Sequence, residues 1–256
     1  MTEDELFIST VDDKADECER KAVLTCTDFL DLRKQSLASV YLKKRKDVRW
    51  QFYGGYEDAE RKIIVFLPFY IENFSDYIKD NADEVPLRIF RADKDGFSTL
   101  SHRDYLGALT GLGIKREKLG DIIVDEKGCF FFAKPSVSKF IEANLTRAGR
   151  GTINVREADG ENEFHYKANV KEKCCFVQSM RLDSVCSAVF NISRSKASEF
   201  IEKGAVFLND EQIFKPDCRV SAGQKVVIKG KGRAILKDDS SKSKKGRIAL
   251  IADVFI

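Results

Sequence analysis

Arg181, Arg194 and Lys196 are the residues whose types and positions ask for a chemical explanation. Ser193 is a residue type that caps helix N-termini, and Arg194 and Lys196 follow it at once. Two cations therefore open a helix at the end where its dipole is already positive. That placement works against the helix and in favour of an anion, because first-turn N–H groups and side-chain cations both attract phosphate oxygens. The chemistry is recognition of a phosphate backbone rather than bond breaking. A catalytic alternative finds little material. His102 and His165 are the only histidines, and neither lies near a plausible nucleophile. The seven cysteines include no CxxC pair, so neither a zinc site nor a disulfide framework is expected. No glycine spacing suits a nucleotide cofactor.

Two short helices and a curled sheet must position these cations. Leu182, Val185, Val189 and Phe190 recur at helical steps, as do Ala197, Phe200 and Ile201 after a break at Asn191-Ile192. Gly204 stands where a helix C-terminal cap belongs. Ala205–Leu208 reads as a strand, Asn209-Asp210 as a tight turn, and Gln224–Lys229 as a further strand after Ala222-Gly223.

The order R-L-D, S-R-S-x-A, I-x-x-G-x-V-x-x-N, K-P, G-Q-x-V resembles the S4 RNA-binding domain. The resemblance implies that Arg181, Ser193, Arg194, Ser195, Lys196, Lys203 and Asn209 lie on or beside an RNA face. Lys229, Lys231 and Arg233 extend the candidate set. Asp210 departs from the Gly usual in the family. Asp tolerates positive φ, so the turn survives, but a carboxylate weakens phosphate binding there. The R-L-D triplet is also similar to the catalytic triplet of pseudouridine synthases, where the Asp belongs to a separate, larger domain. Here it opens the S4 unit itself.

Charge agrees with this placement. Residues 176–256 hold 15 Lys/Arg against 9 Asp/Glu, while the whole chain is only +3. No apolar run reaches the length of a membrane span and the acidic start is unlike a signal peptide, so a cytoplasmic protein with reduced thiols is expected.

Upstream, Thr2 with Glu5 signals a capping box for a first helix reaching about Val23. A second helix is expected from Thr27-Asp28 and ends in the run Lys43-Lys44-Arg45-Lys46. Val48–Tyr53 and Lys62–Leu67 read as strands, and the surrounding aromatic residues as core. From Pro86 the elements are strand Leu87–Ala92, helix Ser101–Leu112, strands Asp121–Asp125 and Cys129–Ala133, helix Ser136–Leu145 and strand Thr152–Glu157. This is the βαββαβ order of ferredoxin-like and RNA-recognition-motif sheets, expected to leave one sheet face open. Of the three aromatic positions of the base-stacking consensus, Lys127–Lys134 fills only the central one, with Phe131, while Cys129 and Lys134 miss the other two. Residues 158–175 read as a turn, an extended piece and a linker, and Lys242, Lys244, Lys245 and Arg247 as a basic hairpin tip.

Gly54-Gly55-Tyr56 with Ala59-Glu60-Arg61, His102-Arg103-Asp104 with Leu106-Gly107-Ala108-Leu109, and Leu112-Gly113-Ile114-Lys115-Arg116-Glu117 with Gly120-Asp121 resemble segments of the YlmH family of bacterial S4-domain proteins. By that resemblance His102, Arg103, Lys115 and Arg116 are further RNA-contact candidates. The expectation is an α+β chain of three parts: an N-terminal α+β domain (1–82), an RNA-recognition-motif-like domain (83–172) and an S4 domain with a basic hairpin (178–256). It is a non-catalytic protein, without cofactor, metal or membrane, that binds ribosomal or transfer RNA and acts in translation or its quality control. The alternatives are a scaffold linked to cell division, binding a protein through its N-terminal or central part, and an RNA-modifying enzyme.

Overall fold

The computed structural model describes every residue except 97, 98, 161, 243–245 and 256, and every other side chain except those of 238–242. Lys244 and Lys245 of the expected basic tip, and Glu161 of the expected turn, lie outside the described residues, as does the side chain of Lys242. The chain folds as two compact units, residues 1–166 and 167–256. The expected boundary after residue 82 falls inside the first unit. No helix among the described residues is long and apolar enough to cross a membrane.

In the first unit α1 (Glu3–Lys21) starts at the expected Thr2–Glu5 capping box and runs unbroken, burying Val11, Ala15 and Cys18 along one stripe. The second helix starts later than expected. The Thr25–Cys26 segment (β1) joins a sheet, and Thr27 accepts the Ile64 N–H on its side-chain oxygen, so Asp31 caps α2 (Leu32–Leu42) instead. Strands β2 (Arg49–Tyr53) and β3 (Ile63–Leu67) complete the order β1-β3-β2, and α3 (Phe74–Asp80) follows.

The next strands are β4 (Arg88–Lys94), β5 (Leu119–Val124), β6 (Gly128–Ala133), a short β7 (Arg147–Ala148) and β8 (Gly151–Glu157). They form an antiparallel sheet in the order β5-β6-β4-β8-β7. With α4 (His102–Gly111) and α5 (Ser138–Asn144) on one side, this is the expected βαββαβ arrangement plus one added strand.

The expected open face is closed. Phe132 is 0% exposed and packs with Phe29, Ile63, Val65, Phe74 and Leu87. Tyr56 stacks on it with centroids 5.4 Å apart, and Phe164 meets it edge-on at 5.2 Å. Gly55, at φ +90°, lets the loop pass close; a Cβ there would stand 2.4 Å from the Phe132 ring. Phe131, the one match among the aromatic positions of the stacking consensus, points to the helix side and stacks on Phe90 at 5.1 Å. An RNA-recognition motif stacks bases on exposed aromatics of this face; here Phe132 is committed to core, and the part-buried Phe130 is occupied by the Arg91 guanidinium at 4.6 Å and by Phe164 at 5.3 Å.

In the second unit the end of the expected extended piece and linker is a single strand, β9 (Val170–Val177), at one edge of a six-stranded antiparallel sheet. The order is β11-β10-β12-β13-β14-β9, with β10 (Val206–Leu208), β11 (Glu211–Ile213), β12 (Lys225–Ile228), β13 (Gly232–Lys242) and β14 (Ile248–Phe255). Helices α6 (Leu182–Phe190) and α7 (Arg194–Glu202) cover it, burying Leu182, Val185, Val189, Ala197 and Ile201, the stripe the sequence spacing defines. Asn191 ends α6 in the left-handed region at φ 54°. Lys173 donates to the Ala188 and Val189 carbonyls at 2.7 Å each, a cation on orphan acceptors at the negative end of the dipole.

Candidate nucleic-acid interface

Four candidate cations of the second unit, Arg181, Arg194, Lys196 and Lys203, are held by two carboxylates. Asp183, in the first turn of α6, is only 3% exposed. Arg181 reaches it through Nε at 3.2 Å and Nη2 at 3.1 Å, and Arg194 through Nε at 3.1 Å and Nη2 at 3.0 Å. The Ser184 amide adds a third donor at 2.7 Å. Burial works against the charge on Asp183, and the hydrogen bonds from Arg181, Arg194 and Ser184 outweigh it, holding the carboxyl below its ordinary range. Along α7, Lys196 (2.8 Å) and Lys203 (2.7 Å) share Glu199, whose pKa those bonds bring down to about 2.

So none of the four cations is unencumbered, but none is neutralised. Each trio holds two cations on one carboxylate and keeps one net positive charge. The arginine side chains stay 40% and 54% exposed. A guanidinium carries five N–H donors, and each arginine bonds Asp183 through Nε and Nη2 alone. The carboxylate fixes where the remaining donors point, which lowers the entropy lost when they meet a phosphate. The lysine pairs are exposed and weak, so a phosphate can compete for them. Ser193 caps α7, accepting the Lys196 N–H at 3.2 Å, with Ser195 Oγ 3.1 Å away.

Arg219 was not singled out from sequence. It sits directly opposite Arg181 in an antiparallel bridge and is exposed, adding a cation beside the Asp183 pair. Only the register of the Lys215–Val220 segment reveals it. Asn209 braces its own turn. At φ 49°, its Oδ1 accepts the Lys225 N–H at 2.8 Å, tying the β10–β11 turn to β12. Asp210, at φ 67°, adopts the turn as expected, and Lys225 answers its carboxylate at 2.8 Å. Lys229 and Lys231 are exposed in the β12–β13 turn, and the Lys229 N–H donates to Ala205 just past α7. Val206 pairs with Ile228 and Leu208 with Val226, so this turn and the Asn209 turn lie at opposite ends of β10. The Arg233 guanidinium lies 3.9 Å from the Phe255 ring centre, part-buried.

Candidates in the first unit divide. Arg116 donates to the Leu119 (2.7 Å) and Gly120 (3.0 Å) carbonyls, and burial together with Arg61 lowers its pKa to about 10. Asp121 accepts from the Tyr56 hydroxyl (2.8 Å) and the Glu60 (2.7 Å) and Arg61 (3.0 Å) amides. The Gly54–Arg61 loop and the Lys115–Asp121 segment are thus two halves of one structural joint, and Arg116 serves it. His102 is the first residue of α4, whose cap is Ser101 with Asp104. His102 is itself exposed, and the partial desolvation of its ring against the protein surface and then Arg116 hold it below the usual imidazole range. Arg103 and Lys115 are exposed. Among the described residues no cluster of His, Cys, Asp and Glu could hold a metal ion.

Two family models match this chain: "Putative RNA-binding domain in YlmH" over residues 87–162, and the S4 domain over residues 180–226. The ribosome-associated protein quality control protein P2 of Bacillus subtilis (strain 168) is 32% identical over 222 residues, covering 86% of this chain and 83% of that protein. In fold the chain resembles the cell division protein ylmH from Streptococcus pneumoniae, with a TM-score of 0.50 and 18% identity over 64% of this chain and 96% of that one.

Proposed function

The chain belongs to the YlmH family of S4-domain RNA-binding proteins, and from that premise we propose that it is a cytoplasmic, non-catalytic protein that grips structured ribosomal or transfer RNA through its S4 unit. Its role is in translation or translational quality control, as the name of the Bacillus subtilis relative suggests.

The observation that carries this reading is the arginine pair held on buried Asp183, half-exposed and beside Arg219. An Asp that is buried and doubly paired with arginines suits an anchor better than a catalytic group, which favours binding over an RNA-modifying activity. In the first unit the closed sheet face turns attention to the exposed Arg103 and Lys115 as accessory contacts.

The test is co-sedimentation with ribosomal subunits across a salt series. The intact chain should pellet with subunits at low salt and be released as salt rises. Lys196→Ala with Lys203→Ala, which leaves the Asp183 trio untouched, should be released at lower salt. A chain that stays in the supernatant at low salt, or a double variant with an unchanged salt profile, overturns the proposal.

A further inference from the structure

The corner between β3 and α3 departs from the rest of the first unit. Ile71 and Phe74 are 1% and 2% exposed and anchor it, whereas Phe69 is 81% and Tyr70 50% exposed. The three outer rings form a cluster: Phe69 meets Tyr70 edge-on at 5.6 Å, and Tyr70 meets Tyr77 at 6.4 Å. The Tyr77 hydroxyl donates to Glu84 at 2.7 Å, which fixes the third ring. Adjacent aromatics left in water mark an interaction surface rather than core.

The surrounding charge says what kind of partner fits. Residues 68–86 carry Glu72, Asp76, Asp80, Asp83 and Glu84 against Lys79 alone, and Lys79 is paired to Asp76 at 3.4 Å. Nearby arginines are engaged: Arg49 donates to the Pro68 carbonyl at 2.5 Å, and Arg88 to the Val85 carbonyl and Glu157. A cleft of about 160 Å³ beside Phe69 is lined by Leu67, Pro68 and Phe69 with Glu19, Arg49 and Asp47, the last already paired with Arg45 at 2.7 Å, so the carboxylates that frame the site are those of the 68–86 corner and Glu19. Phosphate is repelled by such a frame. A Lys or Arg side chain is drawn by it, since the ring faces are negative and an apolar cleft accepts the aliphatic stem.

We propose that Phe69, Tyr70 and Tyr77, framed by these carboxylates, dock a Lys/Arg-rich segment of a partner protein. This surface is independent of the S4 contact with RNA.

The experiment measures binding of the full chain to a short labelled peptide of alternating Lys and Arg. A neutral peptide with norleucine and citrulline in their places, and single-stranded oligouridylate, are the comparisons. The basic peptide should bind, the neutral one at least about tenfold more weakly, and Phe69→Ala with Tyr70→Ala should reduce binding of the basic peptide about tenfold. Both substituted side chains are exposed, and an unchanged melting curve verifies folding. The pair should leave binding to ribosomal subunits intact, while Lys196→Ala with Lys203→Ala should leave peptide binding intact, so the two readings fail separately. Equal binding of the neutral peptide, displacement of the peptide by oligouridylate from these rings, indifference to the aromatic substitutions, or self-association of the intact chain lost in Phe69→Ala would each overturn the proposal.

Discussion

Arg116 in the first unit and Arg194 in the second both follow a lysine- or serine-bearing turn and both belong to family-like segments, yet they do different work. Arg116 gives its donors to the Leu119 and Gly120 carbonyls and is largely withdrawn from water. Arg194 rests two donors on one buried carboxylate and keeps 54% of its side chain exposed. Backbone carbonyls consume a guanidinium and shut it into a joint, while a carboxylate beneath it aims it outward. The aromatic residues show the same contrast: Phe132 closes a sheet face that a related topology leaves open, and Phe69 stays in water. Residue type and motif membership therefore do not decide whether a side chain binds a partner. What it leans on does.

The largest expected effect breaks the comparison on the structural side. Phe132→Ala removes a fully buried ring at the junction of the two sheets of the first unit, and should destabilise that unit by about 4 kcal/mol. Denaturant unfolding followed by Trp50 fluorescence measures it. The folded fraction should keep its affinity for ribosomal subunits, because the Phe132 ring is fully buried and offers no surface to RNA; a loss of affinity in the folded fraction would return RNA to that face.

Asp183→Ala tests the outward-aiming side. It strips two arginines of their shared partner and should destabilise the second unit by about 3 kcal/mol. It should also weaken RNA binding, although it removes a negative charge and simple electrostatics would strengthen it. The pH dependence follows from the depressed pKa of Asp183. Its stabilising contribution is fully present above the unfolded value of about 4 and is lost as pH falls through the folded one. Acid unfolding of the second unit should therefore steepen below about pH 4, and Asp183→Asn should flatten that limb.

The helices of the second unit were legible because their signals are local. Ser193, Asn191 and Gly204 mark ends, and the apolar spacing between them names the buried stripe. The βαββαβ order was legible for the same reason. The closure of its sheet was not, since Phe29, Ile63, Val65 and Phe164 come from distant stretches with no spacing relation to Phe132. Asp183 could be seen as a first-turn acid suiting the helix dipole, but its role as anchor depends on Arg194 folding back eleven residues later. The stretch 158–175 reads as a turn, an extended piece and a linker rather than as part of the second sheet, because residues 170–177 are mostly exposed and form an edge strand paired on one side only.

A direct exchange sharpens the arginine comparison. Arg116→Ala forfeits two hydrogen bonds to carbonyls and should cost about 2 kcal/mol of first-unit stability with no change in the salt dependence of RNA binding. Arg219→Ala removes an exposed cation, should leave stability within about 0.5 kcal/mol, and should reduce the slope of log affinity against log salt by about 0.7 to 0.9. Filter binding across a salt series, with melting curves alongside, separates the two. Swapped outcomes would mean that the first-unit joint meets RNA and the Asp183 neighbourhood does not.

The smallest expected effect lies at Asp210, where two opposing costs nearly cancel. At φ 67° a non-glycine residue is strained, and Asp210→Gly relieves roughly 1 kcal/mol of that strain. The same change removes the ion pair with Lys225, a part-exposed contact contributing up to about 1 kcal/mol. Glycine also gains more freedom in the unfolded chain, so net stability should move by less than about 0.5 kcal/mol in either direction. RNA affinity should still rise about twofold to threefold at low salt, because a carboxylate leaves the turn and Lys225 loses its competing partner, and the gain should vanish at high salt. An affinity that stays flat at low salt would place the Asn209–Asp210 turn outside the RNA footprint, confining that footprint to the α6–α7 cations and the residues bridged to them.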